Sequence, residues 1–349
     1  MKMRCDQCGK LQYPNQSGYW ACVDCGADGT WKIDVDQIVS VGSTDGVCTT
    51  AALLRYLDDE ENVGLEFCQA FTVEKIDLST WKPNRKVALV DLAVNNRNPE
   101  MTAGFVRRVR ESGHTIVAIV DEHNAEDWLA CLGSFDGLAI KPVSQDTGEI
   151  KSSGALLLRV LGSRLDDQSR ELCAAADAAD RMDFDTHFGG LVNRAVKSRI
   201  PDDSRRVYLA RHFAANRDPD EKIAGWIAEY SAILANHDDI IARAVDLGSG
   251  IVRVSSVGMA VDMTTLMRRL YEDYEIVALE GEMYDKTIGA KVRQIAFGCK
   301  PGLKLDAVAT LKAAGIDCSG FAAKANVKPE LEDQALRAIR IALSKDIED

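Results

Sequence analysis

The stretch IVSVGSTDGVCTTAALLRYL, residues 38–57, decides the fold. It begins with the β-rich run IVSVG, passes through a polar turn at 43–46, and continues as a helical pattern from about residue 47 to 58. A short apolar strand that leads through a turn into a helix is typical of a parallel βαβ unit. Asp45 stands in that turn, at the carboxyl end of the predicted strand.

The same pattern recurs downstream. KVALV (86–90) ends at Asp91, and TIVAIV (115–120) ends at Asp121, Glu122 and His123, with a predicted helix over 99–112 between them. LAIKPV (138–143) is a possible fourth strand, and helical patterns then fill most of 152–246. Strands that alternate with helices predict an α/β domain with a parallel sheet over 35–200, followed by a helical connector over 201–247.

The tail, residues 248–349, predicts a second and smaller α/β domain. Its strand patterns are GIVRVSSV, EIVALEGEM and AKVRQIAFG, and its helical patterns cover 264–271, 306–314 and 329–344. No internal repeat links this part of the chain to the first domain. We therefore expect two α/β domains of unequal size.

The first 34 residues form a distinct segment with two CxxC pairs, Cys5 with Cys8 and Cys22 with Cys25. So short a segment cannot bury enough apolar area to fold by itself, and two such pairs can complete one tetrahedral zinc site. The alternative is a redox CxxC pair, which usually lies at a helix start in a thioredoxin-like unit, and nothing here resembles that unit. We therefore predict a zinc ribbon over 1–34.

Composition limits the class of protein. The 349 residues include 46% apolar and 28% charged side chains, and the net charge is −12. The longest apolar runs fall short of a membrane span, and MKMRCDQCGK lacks the apolar core of a signal peptide, so we expect a cytoplasmic protein. Almost all the negative charge falls on residues 35–247, which argues against a long basic groove for a nucleic-acid backbone.

Carboxylates end three of the predicted strands. In an open parallel sheet, ligands bind beyond the carboxyl ends of the strands, so these acids should meet at one edge. Their mutual repulsion favours a bound cation, and carboxylates with a nearby histidine suit Mn²⁺ or Mg²⁺. Each acid taken alone could equally begin the next helix or turn.

The order of these motifs resembles the DHH phosphoesterase superfamily, which includes nanoRNases and RecJ-like exonucleases. STDGVCTTAALLRYL (43–57), VALVDL (87–92) and IVAIVDEHNAEDW (116–128) look like its first three motifs. SSGALLLRVLG (152–162) followed by CAAADAADRMDFD (173–185) looks like its serine-rich helix and fourth motif. The resemblance covers residues 35–349 and leaves the zinc ribbon outside it.

This resemblance implies an Mn²⁺ or Mg²⁺ site with a defined set of residues. Asp121 would orient the site, and His123 would contact phosphate unless it is only a surface histidine at a helix start. Asp180 is an alternative to Asp177 because the closely spaced acids leave the alignment open. The implied metal ligands are Asp45, Asp91, Glu122 and Asp177.

The motifs are degenerate in ways that bear on the metal. The superfamily has two further ligands upstream of Asp45, and Val41 and Ser43 occupy those positions here. Glu122 stands where the first histidine of the name motif would be. A glutamate can still bind a hard cation, but with a different charge and reach.

The tail resembles the DHH-associated C-terminal domain, whose glycine-rich loop binds substrate. LKLDAVATLKAAGIDCSGFAAKANV (303–327) aligns with its helix, loop and strand but lacks the loop histidine. The resemblance implies that substrate phosphate would contact four residues of this domain: Lys300, Ser319, Gly320 and Lys324.

Two functions remain open. The first is a metal-dependent phosphoesterase that acts on short oligonucleotides or nucleotides. The second is a catalytically degenerate DHH-fold module that binds nucleic acid or protein and docks through its zinc ribbon, as in the RecJ-related cofactor of the replicative helicase. The retained acids favour the first, and the lost ligand positions favour the second.

Overall fold

The computed structural model describes most of the chain after residue 32. The described residues are 3–4, 11–12, 33–58, 61–95, 98–143, 150–181, 183, 187–199, 202–285 and 290–345. Within them, no helix is long and apolar enough to cross a bilayer. The predicted zinc ligands Cys5, Cys8, Cys22 and Cys25 lie outside these residues, and the zinc ribbon stays a prediction. The short strands β1 (Met3–Arg4) and β2 (Leu11–Gln12) pair antiparallel.

The chain divides into two compact units. Unit 1 covers residues 1–227 and unit 2 covers residues 228–349. The division falls inside a long helix of the predicted connector 201–247. The α/β class is confirmed, because unit 1 has a parallel sheet and unit 2 has a second sheet of its own.

The sheet of unit 1 has four parallel strands in the order β4-β3-β5-β6. The strands predicted at 86–90 and 115–120 have the predicted bounds, and the strand predicted at 38–42 begins and ends one residue earlier. The fourth strand was predicted in the wrong place, because 138–143 contributes only a bridge between Ile140 and Ala118. The fourth strand is instead β4, at one edge of the sheet, which the sequence analysis missed. The strands are β3 (Gln37–Val41), β4 (Gly64–Cys68), β5 (Lys86–Val90) and β6 (Thr115–Val120).

Helices cover both faces of this sheet. Alternate side chains of each strand point to opposite faces, so Ile38 packs into one core and Val39 into the other. Because both faces are buried, the strands read as continuous apolar runs. The helices of unit 1 are α1 (Thr44–Leu57), α2 (Pro99–Glu111), α3 (Ala125–Leu132), α4 (Ser153–Leu161), α5 (Asp167–Asp180), α6 (His187–Lys197) and α7 (Asp203–Ala215), and α8 (Glu221–Ala242) crosses the division.

Unit 2 is a mixed sheet in the order β11-β12-β10-β9-β8-β7, with α9 on one face and α10 and α11 on the other. Only β8 and β9 pair in parallel among its described strands. The three strands predicted for the tail are present within a few residues. The elements are β7 (Val245–Asp246), β8 (Ile251–Ser255), α9 (Met263–Leu270), β9 (Ile276–Asp285), β10 (Ala290–Cys299), α10 (Ala307–Ala313), β11 (Ser319–Phe321), β12 (Lys324–Val327) and α11 (Glu332–Lys345).

Gly154 allows α4 to approach α5 closely. A Cβ at this position would lie 2.4 Å from the Cβ of Ala176 and 2.8 Å from the carbonyl oxygen of Cys173. We therefore expect Gly154→Ala to lower the free energy of unfolding by about 1–3 kcal/mol, as overpacking does. The matched control is Gly225→Ala in α8, where nothing lies within 4 Å, and which should stabilise the helix by about 0.5–1 kcal/mol. Urea titration of both variants measures this, and equal effects would contradict the packing argument.

Candidate metal centre

The turn between β3 and α1 positions the first acid. Ser43 is the N-cap of α1, and its Oγ accepts a hydrogen bond from the N–H of Gly46 at 2.8 Å. A serine cap satisfies one of the unpaired N–H groups at a helix start, so α1 begins at Thr44 instead of near residue 47. The Ser43 hydroxyl also donates to Oδ2 of Asp91. One side chain thus joins two of the predicted site motifs.

Asp45 is buried in the first turn of α1 and held from two sides. Its carboxylate accepts from the N–H groups of Ser153 and Gly154, at 2.9 and 3.2 Å, where α4 begins. The hydroxyls of Ser153 and Thr49 donate to it as well, each at 2.8 Å. Burial raises the pKa of Asp45, and these hydrogen bonds oppose the rise because they favour the charged form.

Asp91 follows β5 in a conformation that favours glycine. Its φ is +53°, in the left-handed region that costs a residue with a Cβ. Such strain persists where the surrounding structure enforces it, and it is concentrated at functional sites. Burial raises the pKa of Asp91 well above its usual value, and the charges of Asp45 and Glu122 raise it further.

Glu122 has a buried side chain with one carboxylate oxygen that is unpartnered within the described part of the chain. Its side chain is 1% exposed, and Oε2 has no hydrogen-bond partner among the described residues. Burial raises the pKa of Glu122 to about 9, and the charges of Asp45 and Asp121 add to the rise. A buried carboxylate oxygen without a partner is costly in the absence of a proton or a cation.

Asp121 lies beneath His123. It is fully buried, and its Oδ2 accepts from the indole N–H of Trp128, while its Oδ1 is 2.7 Å from Nδ1 of His123. This contact turns the other ring nitrogen, Nε2, away from Asp121. Burial lowers the pKa of His123, but the hydrogen bond and charge of Asp121 outweigh it and raise the pKa to about 9.

The predicted acids come together in two groups that share Glu122. Ligand atoms of Asp91, Glu122 and His123 lie within 4.8 Å of one another, and so do those of Asp45, Glu122 and Asp180. Burial and the charge of Asp45 raise the pKa of Asp180 to about 7. We call these residues the acid cluster: Asp45, Asp91, Glu122, His123 and Asp180.

Asp180, the alternative of the sequence analysis, is the residue of α5 that reaches the acid cluster. Asp177 lies one turn earlier, where its carboxylate accepts from the hydroxyl of Ser152 at 3.2 Å and pairs with Arg181 at 3.0 Å. The two acids are three residues apart on one helix, so both face the same side, and only the tertiary structure separates their partners.

A cleft of about 670 Å³ opens over the acid cluster. Val41 and Ser43 both line it, at the positions where the resemblance implies further metal ligands. Lys151 and Arg181 bring positive charge to it. The other residues that line it are Gln69, Ala70, Phe71, Asp91, Ala93, Glu122, His123 and Asp180.

The residues predicted to bind substrate in the tail all lie in unit 2. Lys300 follows β10 and is exposed, and Ser319 and Gly320 belong to β11. Lys324 begins β12, and its Nζ lies 2.8 Å from Sδ of Met263. Gly320 has a φ of +136°, and a Cβ there would lie 2.0 Å from the carbonyl oxygen of Lys324, so the hairpin requires a glycine.

Zinc binding by the N-terminal segment is a separate prediction. We expect one tightly bound zinc ion per chain, because four cysteine thiolates complete a closed tetrahedral site. Elemental analysis of purified protein should give one zinc, and the double variant Cys22→Ser/Cys25→Ser should give none. The control is Cys131→Ser, which removes a free thiol from α3 and should keep the zinc. Zinc retained in the double variant would contradict the ribbon.

No protein-family model and no curated protein matches the sequence. Solved structures do match. The pGpG-specific phosphodiesterase PggH from Vibrio cholerae is 12% identical, with a TM-score of 0.62 over 89% of this chain and 99% of that protein. The DHH domain of a member of the S1p family of ribosomal proteins is also 12% identical, with a TM-score of 0.51 over 90% and 86%. The chain has the fold of the DHH proteins.

RecJ is a third solved structure that this chain resembles in fold. RecJ from Thermus thermophilus, solved with Mn²⁺, is 13% identical with a TM-score of 0.56, and the match covers 88% of this chain and 52% of RecJ. The fold predicted from the motifs is therefore confirmed. At these identities the likeness concerns the fold alone.

The described residues fit a hard divalent cation. The acid cluster supplies carboxylate oxygens, which Mn²⁺ and Mg²⁺ prefer, and the unpartnered Oε2 of Glu122 is an unused ligand atom within it. Sequence reasoning missed the residues that support this cluster, namely Thr49, Trp128 and Ser153. The serine-rich start of α4 is the one signal in the sequence that could have indicated Ser153.

Proposed function

We propose that this protein is a metal-dependent phosphoesterase that acts on short oligonucleotides or nucleotides. The observation that carries the proposal is the buried, unpartnered Oε2 of Glu122, a residue that belongs to both groups of possible metal ligands. A cation there would offset the burial and the mutual repulsion that raise the pKa of these carboxyls. Asp45, Asp91, Glu122 and Asp180 would hold Mn²⁺ or Mg²⁺.

The bound metal would polarise the phosphoryl group and lower the pKa of water at the site. The protein's own residues supply the rest. Asp121 fixes the ring of His123, and its hydrogen bond and charge outweigh burial and raise the pKa of that imidazole to about 9 in the metal-free protein. A charged imidazole that is half exposed in the cleft can donate a hydrogen bond to a phosphate oxygen. The net effect is to bind and orient the ester beside the metal.

The substrate class is inferred from the matched fold and from the charge of the cleft. The matched protein from V. cholerae is named for its action on pGpG, and the cleft of this chain carries Lys151 and Arg181 near the acids. In unit 2, Lys300, Ser319, Gly320 and Lys324 are the proposed contacts to substrate phosphate. A structural zinc in the N-terminal segment completes the proposed set of cofactors.

The test is turnover of a defined panel. Purified protein with Mn²⁺ is incubated with linear dinucleotides to pentanucleotides and cyclic dinucleotides, and products are separated by chromatography. We expect Asp180→Asn to remove activity and Asp177→Asn to retain most of it, because only Asp180 reaches the acid cluster. If Asp177→Asn removes activity and Asp180→Asn retains it, Asp177 is the metal ligand. The absence of turnover on every substrate would contradict the enzyme.

A second function, a binding module without catalysis, is favoured by two observations. Val41 and Ser43 offer no carboxylate or imidazole at the positions of two implied ligands. In addition, both oxygens of Asp45 already accept hydrogen bonds. The module would dock a nucleic-acid or protein partner through its N-terminal segment. Metal analysis that finds zinc but no Mn²⁺ binding would favour it.

A further inference from the structure

Arg206 contacts the turn that carries the metal centre from a distant part of the chain. It lies in α7, is 3% exposed, and its Nε donates to the carbonyl oxygen of Gly42 at 2.7 Å, across 164 residues. Gly42 directly precedes Ser43, the residue that caps α1 and donates to Asp91. The guanidinium is therefore bonded to the backbone immediately before the first site motif.

The turn and the arginine fit each other closely. A Cβ on residue 42 would lie 2.1 Å from Nε and 2.4 Å from Cδ of Arg206. Gly42 has no left-handed φ that would call for a glycine. The close approach of Arg206 is therefore the reason for a glycine at this position.

Burying the guanidinium of Arg206 is costly, because its charge is removed from water and, within the part of the chain that the structure describes, one of its nitrogens has no hydrogen-bond partner. Nη1 of Arg206 is buried without a hydrogen-bond partner among the described residues, and the carboxylate of Asp203 lies 3.6 Å from it. Burial lowers the pKa of Arg206 because it disfavours the charged form. A methionine would fill a similar volume without this cost.

We propose that Arg206 is a positioning residue for the metal centre. It fixes the Gly42 carbonyl so that Ser43 and Asp45 hold their places against Asp91. The hydroxyl of Thr44, in the same turn, donates to Oδ1 of Asn193 in α6 at 3.0 Å. The turn is therefore bonded to both α6 and α7. This inference rests on the proposed metal site and adds the residue that sets its geometry.

Arg205 provides a matched control. It neighbours Arg206 and is 9% exposed, but it bonds the hydroxyl of Ser198 at 2.7 Å and packs over the ring of Trp226 at 4.8 Å. Arg206→Met and Arg205→Met each remove one buried guanidinium from α7. The melting temperature of each variant shows whether it folds, and only a residue that positions the metal centre should change the affinity for Mn²⁺.

The measurement is Mn²⁺ affinity and stoichiometry by calorimetry, on the full chain at a temperature where each variant is folded. We expect Arg206→Met to weaken Mn²⁺ binding about 10–100-fold, as loss of a group that orients metal ligands does. Arg206→Lys should restore part of the affinity, and Arg205→Met should bind like the wild type. Equal affinities for Arg206→Met and the wild type, or equal losses for Arg205→Met, would overturn the proposal.

A second pair of variants tests the close fit between Gly42 and Arg206 directly. Gly42→Ala alone should weaken Mn²⁺ binding and lower the melting temperature, because its Cβ meets the guanidinium. Gly42→Ala combined with Arg206→Ala should be more stable than Gly42→Ala alone. If the double variant is the less stable of the two, the fitted contact is absent. Asp91→Asn distinguishes a failure of the proposed metal site from a failure of the role proposed for Arg206. If Asp91→Asn still binds Mn²⁺ like the wild type, the proposed metal site is wrong, and so is the role of Arg206.

Discussion

Replacement of Asp91 by Asn should abolish metal-dependent hydrolysis and yet stabilise the metal-free protein. Burial, together with the charges of Asp45 and Glu122, raises the pKa of Asp91 well above its usual value, so ionising this carboxyl is costly in the folded state. The amide removes that cost. Loss of a metal that supplies several kcal/mol to the transition state should lower kcat/KM by about a thousandfold or more. The melting temperature without Mn²⁺ should rise, while the increase on adding Mn²⁺ should disappear.

The control for this variant is Asp136→Asn. Asp136 is an exposed acid outside the acid cluster, so its amide should leave kcat/KM and the effect of Mn²⁺ unchanged. Activity and thermal melting are measured on the same preparations. An Asp91→Asn protein that is less stable without Mn²⁺ than the wild type would show that the carboxylate serves the fold and that repulsion is not the dominant effect.

The metal-free wild type should lose stability as pH rises from about 5 to 9. The pKa of Glu122 is raised to about 9, so the folded state keeps a proton that the unfolded state releases near pH 4.5. The raised pKa of Asp180, about 7, acts in the same direction. His123, with a pKa of about 9, also holds its proton longer in the folded state. Each proton that the folded state retains and the unfolded state has released lowers the free energy of unfolding by up to about 1.4 kcal/mol per pH unit within this window.

Mn²⁺ should offset this loss and do so most strongly at high pH, because the metal competes with protons for the same carboxyls. At a hundredfold excess over its Kd, a ligand adds about 2.7 kcal/mol, which is about 5–10 °C for a unit of this size. Thermal melting at pH 5.5 and 8.5, with and without Mn²⁺, measures both effects. Glu122→Gln should flatten the pH dependence. A shift by Mn²⁺ that is equal at both pH values would contradict the competition.

The sequence predicted the acids that directly follow strands. Asp91, Asp121 and Glu122 follow apolar runs that end abruptly, and parallel strands bring such ends to one edge. Asp45 was found in the same way from the turn after β3. Periodicity alone predicted these positions, because the buried strands show it clearly.

Other parts of the site could not be predicted because they depend on tertiary contacts. Asp177 and Asp180 differ by less than one helical turn, and only the packing of α5 decides which one reaches Glu122. Arg206 meets Gly42 across 164 residues, and no local pattern indicates that pair. The edge strand β4 is short and half-buried, so its pattern GLEFC is weak. The run at 138–143 is apolar but forms only one bridge with β6.

The most direct test of the proposed metal centre is anomalous diffraction from crystals grown with Mn²⁺. The proposal predicts at least one strong peak within about 2.0–2.6 Å of carboxylate oxygens of Glu122 and of Asp91 or Asp180. Oε2 of Glu122 should be among the ligands. Crystals at saturating Mn²⁺ that show no peak at the acid cluster, with Glu122 still unpartnered, would contradict the metal-dependent phosphoesterase.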